Sequence, residues 1–390
     1  MIDLCSSPEK CSGCTSCENI CPRNAISMKI AYNGFNYPEI DKSKCIECGL
    51  CLEACDFKQF KKTGNKPKAY AVRNTDAEEV RTSRSGAVIM ALCHEIVERG
   101  GVCFGCELTP KLVAVHKMED TYDGCKRFKG SKYVQSDMGS CFVECAKQLQ
   151  AEKWVLFSGT GCQVHGLLRY LDIRKIPRDK LIAVDIVCHG VPSPGVWSNY
   201  LTVYQNKINS KIEEVDFRDK QINGWREHIE KYVTIDGATF HNKQWTEIFY
   251  RHVLFREACY NCPYTTTERL SDFTIADYWG VDKNAPEFDD NKGCSLVITH
   301  TKKAEAFLNE MQDLITIKET NLKTSMQPQL SKPIWKGWDY NIFWSMYRRS
   351  PEKCIEKWFF PSWSARKFRI VEKEGKRCLK KIIKIIKRRK

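Results

Sequence analysis

The amino-acid sequence predicts two kinds of structure in series: a small α+β module built around cysteines at the N-terminus, then a mixed α/β body ending in a basic helical tail. Three observations lead there. Twenty-two cysteines in 390 residues are far above ordinary usage, and nine of them fall in the first sixty residues. From about Tyr70 onward, short apolar runs alternate with segments of helical period, the pattern of strands and helices packed in layers. The last fifteen residues, "KRCLKKIIKIIKRRK", carry nine basic side chains and no acidic one. At roughly 150 residues per domain the length suits two or three domains, and 42% apolar content is enough to fill their cores. The expected divisions are 1–62, 70–200, 201–310 and 311–390.

Charge and termini narrow the classes. Of the net +14, the tail accounts for nine, which leaves +5 for the other 375 residues and argues against nucleic acid as a partner. The opening "MIDLCSSPEKCSGC" has neither the basic nor the apolar region of a secretory signal. No run approaches the ~18 apolar residues of a spanning helix. A reducing cytosol is therefore expected, where many cysteines mean metal rather than disulfides. In the tail, Leu379, Ile382, Ile383 and Ile386 share one helical face among lysines. That suits peripheral contact of residues 376–390 with an anionic membrane at its inner face.

The N-terminal module reads first. Cys11, Cys14, Cys17 and Cys21 form C-x2-C-x2-C-x3-C-P, and Cys45, Cys48, Cys51 and Cys55 repeat the spacing, with Asp56 in place of the proline. In two-cluster ferredoxins the fourth cysteine of each run ligates the other cluster. One 4Fe–4S centre is accordingly assigned to Cys11, Cys14, Cys17 and Cys55, the other to Cys45, Cys48, Cys51 and Cys21. Zinc needs four ligands per ion and does not call for two such quartets in register. Cys5 lies outside the pattern. Between the runs, Asn33-Gly34 marks the turn of a hairpin.

The body follows. "SGAVIMALCHEIVERGG" has helical period and a Gly-Gly stop, and "GVCFGCEL" reads as a buried strand. Its Cys103 and Cys106, three apart on a strand, face opposite ways and are read as core residues. His94-Glu95 lacks the second histidine of a zincin. "KWVLFSG", "TGCQVHGLLRYL" and "LIAVDIVCHG" predict strand, helix and strand in a right-handed unit with parallel strands. Cys162 then lies just past one strand and Cys188 at the end of the next, both at the carboxyl edge where ligands bind in open α/β sheets. Cys162 would also open a helix, whose dipole favours thiolate. The pair Cys259-x-x-Cys262 could complete a four-thiolate site, or all four could be small core residues. Asp236-Gly237 predicts a type I′ hairpin, "CSLVITH" a strand, and residues from about 302 onward helix.

"RFKGSKYVQSDMG", "VLFSGTGCQVHGL", "VDIVCHGVPSP", "FRDKQINGW" and "ACYNCPYTTTERLSDFTIADYWG" together resemble the coenzyme F420 hydrogenase/dehydrogenase beta-subunit family, in its bacterial branch with an N-terminal two-cluster ferredoxin. The resemblance runs to about residue 300. It implies an iron–sulfur flavoprotein that binds FAD and passes electrons among clusters, flavin and a substrate such as a deazaflavin. It implies a third 4Fe–4S cluster on Cys162, Cys188, Cys259 and Cys262, with Arg269, Asp272 and Asp277 as the polar positions after the C-x-x-C. Ser85, Gly86 and the "GSKYVQS" segment fall in regions associated with flavin. Lys132 would pair with an FAD phosphate and Ser136 hydrogen-bond it, beside Gln135; a solvated loop is the alternative. Gly161 stands where the family has proline, and Ala87 where it has a second glycine. Cys103, Cys106, Cys125, Cys141 and Cys145 are additions without a place in the pattern.

His165 and His189 each sit near an expected ligand, as proton donors, as hydrogen-bond donors to sulfur, or as ordinary polar residues. The expected function is that of a flavin- and iron–sulfur-dependent oxidoreductase acting on an unidentified small molecule, served by a redox partner such as a ferredoxin or another oxidoreductase chain. The alternative is an electron carrier with no small-molecule site.

Overall fold

The computed structural model describes residues 4–361, so the tail expected at 376–390 lies outside the described residues. The N-terminal module is a hairpin of β1 (Ile26–Ile30) and β2 (Asn36–Ile40) with short helical turns carrying the cysteines. Its turn ends on Gly34, left-handed at φ +73°.

The body is one eight-stranded sheet. It comprises β3 (Lys68–Asn74), β4 (Val102–Leu108), β5 (Ala114–Glu119), β6 (Val155–Thr160) and β7 (Leu181–Ile186), and then three later strands. A separate three-stranded sheet is formed by β8 (Ile212–Asp216), β9 (Glu230–Thr234) and β10 (Thr239–Asn242). The chain returns to the large sheet with β11 (Phe273–Asp277), β12 (Ser295–Thr299) and β13 (Ile315–Thr320), giving the order β13-β3-β12-β11-β7-β6-β4-β5. The centre, β11-β7-β6-β4, is parallel and the flanks are antiparallel. The mixed α/β class is as the sequence predicts, and strands from both 70–200 and 201–310 share this sheet.

Two local expectations change. Residues 315–320 are not helical: "ITIKET" alternates apolar and polar, and the strand pairs with β3 at the sheet's edge. The turn at Asp236-Gly237 is not type I′, because only Gly237 is left-handed at φ +80° and type I′ needs both central residues there.

The layers sort by face. On one side, Phe104 and Phe157 pack with Phe142, Leu167 and Leu171, and the module's Ile20 and Ile26 join that same core. On the other, Leu156, Ile182, Val184 and Val297 pack under the helices Val88–Glu98 and Lys302–Glu310. The aromatic stretch after residue 332 is a packing element: Phe343, Trp344 and Tyr347 bury against the helix Pro194–Ile208, while Trp335 and Trp338 stay 70% exposed. Among the described residues no helix is long and apolar enough to cross a membrane.

Candidate metal centres

The module's two cysteine runs share an internal symmetry that side-chain identity hides. Gly13 and Glu47 occupy the same place, just before the second cysteine of each run, and both are left-handed at φ +73° and +54°. Thr15 and Gly49, just after that cysteine, are left-handed as well, at +65° and +78°. These reversals curl three successive cysteines inward, and at Thr15 and Glu47, which carry side chains, the left-handed backbone costs about 1–2 kcal/mol. The result is a cavity of about 340 Å³ lined by Cys21, Cys45, Cys48 and Cys51. Cys14 and Cys17 lie in mutual electrostatic reach of Cys11 and Cys55. Burial pushes Cys14 up to about 12, and the neighbouring sulfurs add to it. Cys5 is not isolated: its thiol shares a hydrogen bond with Cys11.

The third site forms at the carboxyl edge of the sheet. Thr160 at the end of β6 pairs with Ile186 at the end of β7. Cys162 and Cys188 therefore each lie two residues past aligned strand ends, Cys162 in the first turn of the helix Gly161–Ile173. Cys259 and Cys262 arrive on the turn Glu257–Asn261 and its cap. All four line one cavity of about 560 Å³, its open mouth included. Burial raises all four thiols, Cys188 to about 12. No three of these sulfurs, nor of the module's eight, close to within 4.8 Å of one another. A single zinc at about 2.3 Å from each sulfur would hold them about 3.8 Å apart. The four thiols thus line one cavity without closing on the tight spacing that a single ion needs.

Behind the cavity is a buried ion pair. Arg269, 2% exposed, meets the fully buried Asp185 at 2.7 Å and hydrogen-bonds the Ile186 carbonyl. Asp185 also accepts from Ser271 and Thr274. Asp272 accepts from the Ala183 backbone N–H and from Thr301. The positions after the C-x-x-C thus tie β11 to β7 and fix the cavity's floor.

Between module and body runs a set of direct contacts. Ser12, within the first cysteine run, lines the third cavity together with Cys162. A Cβ at Gly166 would meet the Cys14 sulfur at 3.1 Å, so glycine lets that helix pass against the first cluster site. Arg256, three residues before Cys259, is 1% exposed and donates to the Cys11 carbonyl at 2.6 Å, to the Cys11 sulfur at 3.4 Å and to the Asn36 carbonyl. It also donates to Gln135, which donates to the Ser12 carbonyl. Among the described residues no carboxylate forms an ion pair with Arg256. Asp56, standing where the first run has proline, accepts from Tyr264 at 2.8 Å and faces His165 at 3.4 Å. That exchange of residue type makes a docking contact.

The histidines differ. His165 is fully buried between Phe60 and Tyr264, accepts from the Leu270 N–H and does not line the cavity. His189 does line it; burial pushes it down to about 4, and its Nε2 meets that of His252 at 2.9 Å. His252, at φ +58°, packs in turn on the exposed Trp335.

Of the residues expected around a flavin, Ser85 and Asp277 meet through Lys220 and Arg218, while Lys132 and Ser136 are held by other partners. Ser136 bridges His116 and Gln163. Lys132 directs its ammonium at the Arg127, Lys129 and Gly130 carbonyls, which uses its donors. Gly86 is glycine because a Cβ would strike the Val72 carbonyl, and its N–H binds Ser295. Ser85 donates to the Cys294 carbonyl. Ala87, in the place of the family's second glycine, holds the left-handed cap of the helix Val88–Glu98 at φ +57°. Asp277 pairs with Arg218.

That last pair opens on residues that sequence reasoning missed. Arg84 and Arg218 are both more than nine-tenths buried, and each has an Nε–H without a partner. Lys220 lies beside them and donates to the Ser85 carbonyl. Burial and mutual repulsion lower Arg84 to about 10 and Lys220 to about 8. Trp279 and Tyr250, 42% and 45% exposed, flank His228 at the surface above. Arginines in "TSRSG" and "DFRDK" carried no spacing signal that could have joined them.

Residues 152–325 match the family described as the C terminus of the beta subunit of coenzyme F420 hydrogenase/dehydrogenase, and residues 10–58 match a 4Fe-4S dicluster domain. Subunit I of NADH-quinone oxidoreductase from Pelobacter propionicus is 37% identical over 70 residues, 15% of this chain and 37% of that protein. Subunit I 2 from Geobacter metallireducens is 36% identical over 68 residues, 16% of this chain and 52% of that protein. The chain thus spans a third to a half of the curated relatives it matches. A chain of the F420-reducing [NiFe] hydrogenase complex from Methanosarcina barkeri aligns over 75% of this chain and 90% of its own length, at 16% identity and TM-score 0.46. The protein therefore joins a 4Fe-4S dicluster domain to a body whose residues 152–325 match the C terminus of the coenzyme F420 hydrogenase/dehydrogenase beta-subunit family.

Proposed function

We propose that this chain is an oxidoreductase that carries electrons through three 4Fe–4S clusters in series to a flavin or small-molecule acceptor on the body. Electrons enter at the cluster of Cys21, Cys45, Cys48 and Cys51, where Cys48 and Ile46 are exposed and a redox partner can approach. They pass to the cluster of Cys11, Cys14, Cys17 and Cys55, then to that of Cys162, Cys188, Cys259 and Cys262. The observation that carries the reading is that Ser12, inside one cluster's ligand loop, lines the same cavity as Cys162, Cys188, Cys259 and Cys262.

FAD belongs to this proposal through residues that gather beside two of those expected, Ser85 and Asp277. Arg84, Arg218 and Lys220, with two orphaned Nε–H groups, suit a dinucleotide's phosphates, and Trp279 and Tyr250 offer aromatic surface. Flavin would supply the conversion between one-electron and two-electron chemistry. The chain's own residues hold charge there: Asp277 orients Arg218, and Lys220, lowered by burial to about 8, keeps its charge at neutral pH. A deazaflavin acceptor would occupy the same site.

Anaerobic purification tests the reading. About twelve irons per chain, at four per cluster, together with a bound-flavin spectrum support it. About eight irons without flavin replaces it with a carrier that hands electrons to a partner enzyme.

A further inference from the structure

Of the described cysteines outside the three centres, three meet in one place. Cys93 lies on the helix Val88–Glu98, Cys103 on β4 and Cys125 on the turn Tyr122–Cys125. All three are fully buried, and their sulfurs lie within 4.8 Å of one another. Cys106, Cys141, Cys145, Cys294 and Cys354 form no such group. The trio faces the side of the sheet packed by Leu156, Ile182 and Val184, opposite the side on which the cluster module docks. It is therefore no part of the electron path.

Buried cysteines often serve as small apolar side chains. Here convergence is the distinguishing feature. Three separate elements bring their sulfurs together in a fully buried core.

We propose that Cys93, Cys103 and Cys125 bind one soft, thiophilic cation of the Cu(I) type, in a three-sulfur site that pins the helix Val88–Glu98 and the turn Tyr122–Cys125 to β4. Thiolate ligands select soft metals. Metal–sulfur bonds of about 2.3 Å put three trigonal sulfurs about 4 Å apart, within the observed spread. Structural zinc is almost always four-coordinate. Among the described residues no fourth histidine, cysteine, aspartate or glutamate joins the group. Three ligands and no fourth favour a cation that is satisfied by three. Binding changes no oxidation state: each thiol that becomes a ligand releases its proton to solvent as the metal–sulfur bond forms.

The test uses the full chain, purified anaerobically with its iron and sulfide quantified. Cu(I), presented as a complex with a colorimetric chelator, should transfer one equivalent per chain, with X-ray absorption showing three sulfur neighbours and iron content unchanged. Cys125→Ser should lose that equivalent while keeping its iron and cluster spectra. If Cys125→Ser does not fold, Cys93→Ala is read in the same way. Equal copper uptake by variant and wild type would overturn the site, as would copper uptake matched by iron loss. Zn(II) binding one equivalent with four protein ligands, in preference to Cu(I), would overturn the three-sulfur assignment.

Discussion

The cysteine runs of the N-terminal module and the cavity at the sheet edge hold their ligands by opposite means. In the module, three of the four cysteines of each quartet lie within seven residues, and left-handed residues at matched positions do the shaping. At the sheet edge the four cysteines span Cys162 to Cys262, and what brings them together is the register of β6 and β7 and the buried Arg269–Asp185 pair. Local turns build the first kind of site, and the folded body builds the second. The second should then be lost selectively whenever the body's edge is disturbed, while the first survives.

The largest effect is the removal of a ligand. Cys259→Ser should cost about four irons per chain and leave the two ferredoxin-type signals unchanged in low-temperature paramagnetic resonance. Full iron content in that variant would return Cys259 and Cys262 to the status of buried core cysteines. The next effect acts through the pair behind the cavity. Asp185→Asn leaves Arg269 as an uncompensated buried cation, at about 3–5 kcal/mol. The denaturant midpoint should fall accordingly and the third cluster's signal should go with it. A variant that keeps that signal would show that the edge does not depend on the pair.

A third change works at the junction. Arg256 is a buried cation beside the Cys11 sulfur. A positive charge there favours the reduced, more negative cluster. Arg256→Gln should lower the potential of the cluster of Cys11, Cys14, Cys17 and Cys55 and leave that of the exposed cluster in place. Equal movement of both would mean that the substitution loosens the module as a whole. Lost hydrogen bonds to a charged group add about 1.5–3 kcal/mol of destabilisation.

The same contrast explains what could be read from sequence. The module's quartets were legible because spacing alone brings their cysteines together. Cys162 and Cys188 were legible because a strand–helix–strand pattern places both at a sheet's carboxyl edge. Arg256 was not, since its partners Cys11 and Asn36 lie more than two hundred residues away. Nor were Arg84 and Arg218, brought together from distant loops, or the meeting of Cys93, Cys103 and Cys125. Glycine and lysine in the "SRSG" and "GSKY" stretches suggested phosphate, but Gly86 serves close packing on β3 and Lys132 serves its own loop. A residue type announces what it can do; which demand it meets is set by long-range packing.

The smallest effect separates body from module by pH. Glu230 on β9 is fully buried and accepts from Tyr232 and from the Trp245 and Thr246 N–H groups. Burial pushes its carboxyl up to about 7 despite those donors. In the unfolded chain it titrates near 4.5. Between these values the folded state holds a proton that the unfolded state has lost. Stability from this group is therefore fully present below about pH 4.5 and declines as pH rises through about 7. The size is about 2 kcal/mol, taken below the full shift at about 1.4 kcal/mol per unit. Glu230→Gln should flatten the fall in the body's denaturant midpoint between pH 5 and 7.5. Because Glu230 packs near Tyr200 and Trp245 and far in sequence from the cysteine runs, the ferredoxin-type signals should be lost at the same pH in both proteins. An unchanged slope in the variant would assign the body's pH dependence to other buried groups.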